Sequence, residues 1–504
     1  MHPNTRTFHP ALSAEPVAGA AAALDESDLL DALPVVRRVD ADAVAARVTT
    51  SRRVLVVLDD DPTGTQTVAD VPVLTAWSVD DMRWALRQDS AAFYVLTNTR
   101  SLDTDLAAAR NREIVTALIA AARAERRAFA LVSRGDSTLR GHYPLETDVV
   151  NDTLIAHGEH GADGVLLCPA YVDAGRLTVR DVHWMRTAAG MLPVGASEFA
   201  LDATFGYRSS NLRDFVEEKS GGRWRAADVL SIGIDDIRNG GVPRVTQLLA
   251  GLRNGRPAVV NASCDDDLRV VALAALATEE RGRTLLYRTG PSFVRARAGL
   301  AAQPPLRAAQ LYAGDLCGAA EAARHGLVIV GSHVSQTTRQ LDRLRHARGL
   351  REFELDVDTL LDPQRSDTYL DTIARAAVRA LDDADVVVYT TRRLVAGVDP
   401  VASLAVARRI SKALVDVVRA VTAARKPRFI VAKGGITSSD VATEGLAIRR
   451  AWVRGTMLPG MVSAWAAVDG AAPGVPYVVF AGNVGDDDAL TRVVAVLRDG
   501  SAGS

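Results

Sequence analysis

Cysteine is scarce: the 504-residue chain has three, Cys168, Cys264 and Cys317, far apart and in no CxxC pair. They cannot staple a chain this long and lack zinc spacing, so a reducing cytoplasm is the expected compartment. No apolar run reaches the length of about 18 residues that a membrane span needs, and none is expected. The Ala-rich stretch Pro16–Leu24 imitates the apolar part of a signal peptide, but Glu15 precedes it and a basic start is missing, so export is not expected. Neither charge dominates, with 59 basic and 61 acidic side chains and a formal charge of −2. A nucleic-acid binder would show a basic excess. Also missing are GxxxxGKS/T, a GxGxxG after a strand, HExxH and GxSxG. Neither a Walker-type NTPase nor a standard dinucleotide fold is therefore supported.

The length and the ordinary balance of 48% apolar and 24% charged residues predict two α/β domains of about 200 residues or more. The first 47 residues read as a poorly ordered tail. From Arg52 onward, β-branched or apolar runs recur at Val54–Leu58, Phe93–Thr97, Phe129–Ser133, Val165–Cys168, Val229–Ile232, Ala258–Asn261 and Thr284–Tyr287. Helix-length stretches separate several of them. Asp105–Glu125 places Leu106, Ile114, Leu118, Ala121 and Ala122 on a common side. Thr178–Trp184 breaks the pattern and reads as a hairpin or an excursion. The text between Arg295 and Ala323 is rich in Ala, Gly, Pro and Arg, and the alternation then restarts at Leu327–Val330, Glu352–Asp356, Val386–Thr390, Phe429–Ala432 and Tyr477–Ala481. The expected organisation is a tail (1–47), an N-terminal domain (48–300), a linker (301–322) and a C-terminal domain (323–504). Each domain should be a largely parallel sheet flanked by helices, with the active site in the cleft between them.

Ligands of open parallel sheets sit beyond the carboxyl ends of the strands, and the chemically loaded segments lie there. Asp59-Asp60-Asp61-Pro62-Thr63-Gly64 follows the first strand. Such a carboxylate row either takes a proton from a hydroxyl or helps hold a metal ion, or is a solvated acidic turn with Thr63 capping a helix. Ser133 to His142, with Arg134, Asp136, Ser137 and Arg140, offers forked cations for a carboxylate and acceptors for a polyol. Its alternative is a self-satisfied turn. Asn98, Thr99 and Arg100 add a polar tip on the same edge.

In the second half three glycine and hydroxyl loops precede helix starts: Gly331-Ser332 with Ser335; Lys433-Gly434-Gly435-Ile436-Thr437; and Gly482-Asn483-Val484-Gly485. Free N–H groups and a positive dipole end suit an anion, although ordinary strand-to-helix turns use the same residues. Three in one domain point to a phosphate site. Asp486-Asp487-Asp488 is read as serving the last helix dipole. His142 and His333 have no orienting partner in sequence and are not assigned a role.

At these residues the chain resembles the four-carbon acid sugar kinases. The likeness runs from about Arg52 to Leu497 and rests on Asp60-Asp61-Pro62-Thr63-Gly64, Asp136 to Gly141, Gly331-Ser332 with Ser335 and Thr338, Gly434-Gly435-Ile436-Thr437, and Gly482–Gly485. The resemblance implies an acid-sugar-binding first domain, an ATP-binding second domain, Mg²⁺, and phosphorylation of a hydroxyl. On this reading Asp61 or Asp60 acts as base, Arg140, with Arg100 or Arg134, clamps the substrate carboxylate, Asp136 orients the hydroxyls, and Ser137, Asn98 and Thr99 also line the substrate site. The glycine loops, with Lys433, would hold the nucleotide. No metal ligand is assigned, and a homodimer is left open. The family usually has an acidic residue where Ile436 stands and Lys-Ser where Phe480-Ala481 stands, which marks a divergent subgroup. Two rival readings follow: a sugar-acid dehydrogenase or isomerase on the same scaffold, or a catalytically silent acid-sugar-binding protein.

Overall fold

The computed structural model describes residues 23–61, 63–312, 323–347, 349–393, 395 and 400–499. In the N-terminal half the strands are β1 (Arg53–Asp59), β2 (Val71–Leu74), β3 (Ala92–Leu96), β4 (Ala128–Arg134), β5 (Gly164–Cys168), β6 (Arg176–Val179), β7 (Val182–Thr187), β8 (Gly190–Pro193), β9 (Leu230–Ile232), β10 (Arg256–Val260) and β11 (Leu285–Thr289). The C-terminal half carries β12 (Leu327–Val330), β13 (Leu350–Leu355), β14 (Asp385–Thr390), β15 (Ile430–Lys433), β16 (Arg450–Leu458), β17 (Val462–Ala467) and β18 (Pro476–Phe480). Uninterrupted apolar runs such as Val54–Leu58 and Val386–Val388 are buried throughout, as strands covered by helices on both faces require.

Both halves are largely parallel, as expected, but they are not separate sheets. One 15-stranded sheet runs β13-β14-β12-β15-β18-β17-β16-β2-β3-β1-β4-β11-β5-β10-β9. The antiparallel hairpin β16–β17 joins β18 on one side and β2 on the other. Three antiparallel steps reverse direction, so the two parallel halves run in opposite senses. Seven steps (β12-β15-β18-β17-β16-β2-β3-β1) separate their central strands. At roughly 20–25° of twist per step, about 140–175° accumulates, which swings the two carboxyl edges round toward each other. The contacts agree. The Tyr171 hydroxyl, just beyond β5, donates to the Gly460 carbonyl at the hairpin tip. Thr65, beyond β1, lies 2.9 Å from the Ser463 hydroxyl and accepts from Trp465 Nε1 at 3.0 Å.

Several expectations need correction. Part of the supposed tail is folded: Leu24 exchanges backbone bonds with Met191, and the helix Ala41–Ser51 buries Val44 and Val48 against Ala272 and Leu276. Residues 1–22 lie outside the described residues, as do 313–322 of the linker, Pro62 and Cys317. The long helix is Thr104–Glu125, with Ile114, Leu118, Ala121 and Ala122 buried. Leu106 is 54% exposed instead, because it lies in the first turn, capped by Asp103 at the surface. The Thr178–Trp184 break is the β6–β7 hairpin of a separate three-stranded sheet with β8. No helix among the described residues is long and apolar enough to cross a membrane.

Candidate active site

The carboxyl ends of β1, β3, β4 and β11 bring an arginine–carboxylate cluster together. Arg100 places two guanidinium nitrogens on Asp60, at 2.5 and 3.3 Å, and its third on Asp61 at 2.8 Å. Arg134 donates to Asp59 at 3.0 Å. Arg288, from the end of β11, donates to Glu146 at 2.5 Å and to Ser133 at 2.8 Å, while Glu146 also accepts from Thr99. The acidic row is therefore not a solvated turn: Asp59 is 0% and Asp60 2% exposed. Its repulsion is relieved by guanidiniums.

The three carboxylates differ in state. Burial pushes Asp59 up to about 7 against the pull of Arg134, and its Oδ2 has no partner. Burial likewise outweighs Arg100 at Asp60 and raises it. At Asp61 burial loses to Arg100, Arg134 and the Thr63 bonds, and the carboxylate is held low. Thr63 donates to Asp61 from both its amide (2.8 Å) and its hydroxyl (2.6 Å). Asp61 also keeps a quarter of its side chain exposed (25%). Gly64 passes so near that a Cβ there would fall 1.6 Å from Asp59 Oδ2, so only glycine fits at this position.

Asp136 accepts from Thr138 and from Arg140 Nε at 2.7 Å. Burial would raise it, but Arg100 and Arg140 hold it well below the usual carboxylate range. Arg140 also lies over the Phe199 ring, 4.8 Å from its centroid. The neighbouring His183 is buried and pushed down to about 4 by desolvation, and it bonds the Ser137 carbonyl.

In the C-terminal half the three glycine loops pack side by side. A Cβ on Gly331 would stand 2.2 Å from Thr437 Oγ1, one on Gly434 3.0 Å from Ser332 Cβ, and one on Gly482 2.6 Å from Ser332 Oγ. The helix Ser335–Arg345 starts here with no side-chain cap, leaving its first-turn N–H groups open. Arg392, just beyond β14, donates NH2 to the Ser332 carbonyl (2.7 Å) and to Thr338 (2.8 Å). Its Nε and NH1 are buried without acceptors, as is His333 Nδ1. A glycine cradle with orphaned donors beside it fits a polyphosphate.

Family models match most of the chain, one described as a sugar-binding N-terminal domain over residues 55–297 and one as a nucleotide-binding C-terminal domain over residues 327–490. The chain belongs to the four-carbon acid sugar kinase family. Among solved structures it is similar to a Haemophilus influenzae protein at 18% identity and a TM-score of 0.59, over 88% of this chain and 100% of that one. It is also similar to a Salmonella typhimurium LT2 protein at 16% identity and a TM-score of 0.63, over 87% and 98%. At these identities the likeness is one of fold. No match is found among curated proteins.

The family's motif residues thus fall into two clusters, one per domain. Asp61, Arg100, Asp136 and Arg140 are partly open to solvent in the first, while Asp60, Thr99, Arg134 and Ser137 are buried beneath them. Asn98 stands beside them with φ +49°. In the second, Gly331, Ser332, Gly434, Gly435, Thr437 and Gly482 form the cradle, with Ser335 at the helix start. Asn483 is exposed at its rim, and Val484 turns its carbonyl to Gln340. Asp486 and Asp487 stand before the last helix and pair with Arg492 and Arg339. Arg288, Glu146 and Arg392 escaped the sequence reading. Each lies outside a recognisable motif, although Arg288 and Arg392 do sit at strand ends.

Lys433 is not an open phosphate ligand. It is 0% exposed, donates to the Ala481 carbonyl at 2.7 Å, and lies 3.8 Å from the centroid of the Phe480 ring. It ties β15 to β18 beneath the cradle, while Ile436 is 69% exposed. Burial pushes the amine down to about 7. The folded protein then binds fewer protons than the unfolded chain between about pH 7 and the ordinary lysine range, so this group's contribution to stability rises with pH across that window. Replacing Lys433 with Met, which cannot titrate, should flatten that pH dependence. Melting curves from pH 6 to 10 check it.

Proposed function

We propose that the protein is an ATP-dependent kinase that phosphorylates a hydroxyl of a short acid sugar. The observation that carries this reading is the presence of two dissimilar sites, an arginine–carboxylate cluster and a glycine cradle, on two domains that touch at the β16–β17 hairpin. An arginine–carboxylate cluster beyond β1, β3 and β4 approaches a glycine cradle's domain through the Thr65–Trp465 and Tyr171–Gly460 bonds. Asp61, ionised and aimed by Thr63 and Arg100, accepts the proton of the attacking hydroxyl. Asp136 orients the remaining hydroxyls, and Arg140 holds Asp136. The cradle amides, with Ser332, Thr437 and Arg392, bind the phosphates. ATP with Mg²⁺ supplies the transferable phosphoryl group when bound. Among the described residues no three His, Cys, Asp or Glu side chains converge as a metal cluster, and Mg²⁺ commonly rests on substrate phosphates with one or two carboxylates. Phosphoryl transfer asks mainly for positioning and charge stabilisation, so a kinase needs no Walker loop. Mass spectrometry after incubation with Mg·ATP and a four-carbon sugar acid tests the reading. A product heavier by one phosphoryl group is expected, and unchanged acid with every acid tried would contradict it.

A further inference from the structure

Five arginines surround the acid-sugar cluster, and four are spent on carboxylates. Arg100 holds Asp60 and Asp61, Arg134 holds Asp59, Arg140 holds Asp136, and Arg288 holds Glu146. The fifth, Arg176, is different. It stands at the start of β6, with its guanidinium 5.8 Å from the centroid of the Tyr171 ring. Its NH1 donates to the Ala174 carbonyl at 3.2 Å, and no carboxylate among the described residues pairs with it. Its Nε is buried without an acceptor. Burial lowers its pKa, and Asp136 and Arg140 are near enough to act on its charge. The remaining Nη2 makes no hydrogen bond to a described residue, so it is the guanidinium nitrogen left to donate a charge-assisted bond to a ligand carboxylate.

We infer that Arg176 anchors the substrate's carboxylate and so selects an acid over a neutral sugar, an inference that rests on the acid-sugar reading above. A partly buried cation without a counter-charge is costly, and a ligand carboxylate removes that cost where a hydroxyl cannot. The position suits the task. Tyr171, on which Arg176 stacks, accepts from Gln66 Nε2 at 3.0 Å and donates to Gly460, so the anchor lies where the two domains touch. The structural alternative, in which Arg176 only stacks on Tyr171, makes no distinction between acid and polyol.

The test is calorimetric titration of the full chain with D-erythronate and L-threonate against the neutral polyols erythritol and threitol. Wild-type protein should bind at least one acid more tightly than its polyol by on the order of 10²-fold. Arg176→Ala should erase that preference, Arg176→Lys should keep part of it, and ATP affinity should stay as in the wild type. If the Ala variant does not fold, Arg176→Gln, which removes the charge and keeps a planar group over Tyr171, gives the same comparison. Equal preference for the acid in wild type and the charge-removed variant would overturn this inference alone. Failure of the wild type to bind either acid would overturn the acid-sugar reading and the inference with it.

Discussion

Replacing Asp61 with Asn should lower kcat by a factor on the order of 10² to 10⁴ and leave both Michaelis constants nearly unchanged. Asp60 and Asp59 lie in the same row, but both are buried and raised by that burial. Asp61 alone combines an exposed edge with a carboxylate held in its charged form by Arg100 and Thr63. Asn preserves the shape and loses the charge, so the attacking hydroxyl keeps its place but not its proton acceptor. Because Asp61 is held low, the acid limb of the wild-type rate profile should fall below the ordinary carboxylate range, and activity limited by this group should be flat through neutral pH. Stopped-time assays from pH 4 to 8 on both proteins check the two statements together. Wild-type turnover in the Asn variant would remove Asp61 from the mechanism.

Replacing Gly434 with Val should weaken ATP binding by on the order of 10²-fold or more and leave acid-sugar binding unaltered. Gly434 has φ +125°, which a β-branched residue adopts only at a cost, and its Cβ would press on Ser332 at 3.0 Å and Thr437 at 3.1 Å. Its amide donates to Phe480 at 2.8 Å, so the loop cannot yield without pulling on β18. The damage falls on the cradle, one domain away from Asp136 and Arg176. Calorimetry with each ligand separately checks the division. Loss of acid-sugar binding with ATP binding intact would reverse the assignment of the two domains.

Much of this was legible in the chain because local chemistry repeated. Continuous apolar runs such as Val54–Leu58 admit few readings beyond a covered parallel strand, and polar residues directly after them mark the carboxyl edge. The seam was not legible. β17 is Val-Ser-Ala-Trp-Ala-Ala and β16 contains Arg450, Arg454 and a Gly455 at φ +140°. Neither has the β-branched density of a core strand, and both are held by neighbours distant in sequence. Arg288 and Glu146 were hidden for the same reason, since their pairing spans 142 positions. Lys433 misled in the opposite direction: beside a glycine loop it reads as a phosphate ligand, and only its burial over Phe480 shows it as a tie between strands.

The most direct test of the central claim is a coupled ADP-release assay with Mg·ATP against a panel of four- to six-carbon sugar acids. The account predicts turnover on at least one acid, dependent on ATP and absent with the matching neutral polyols. ADP release from none of them would contradict it, and the more sharply if calorimetry also found no ATP binding at the Gly331–Gly434–Gly482 cradle.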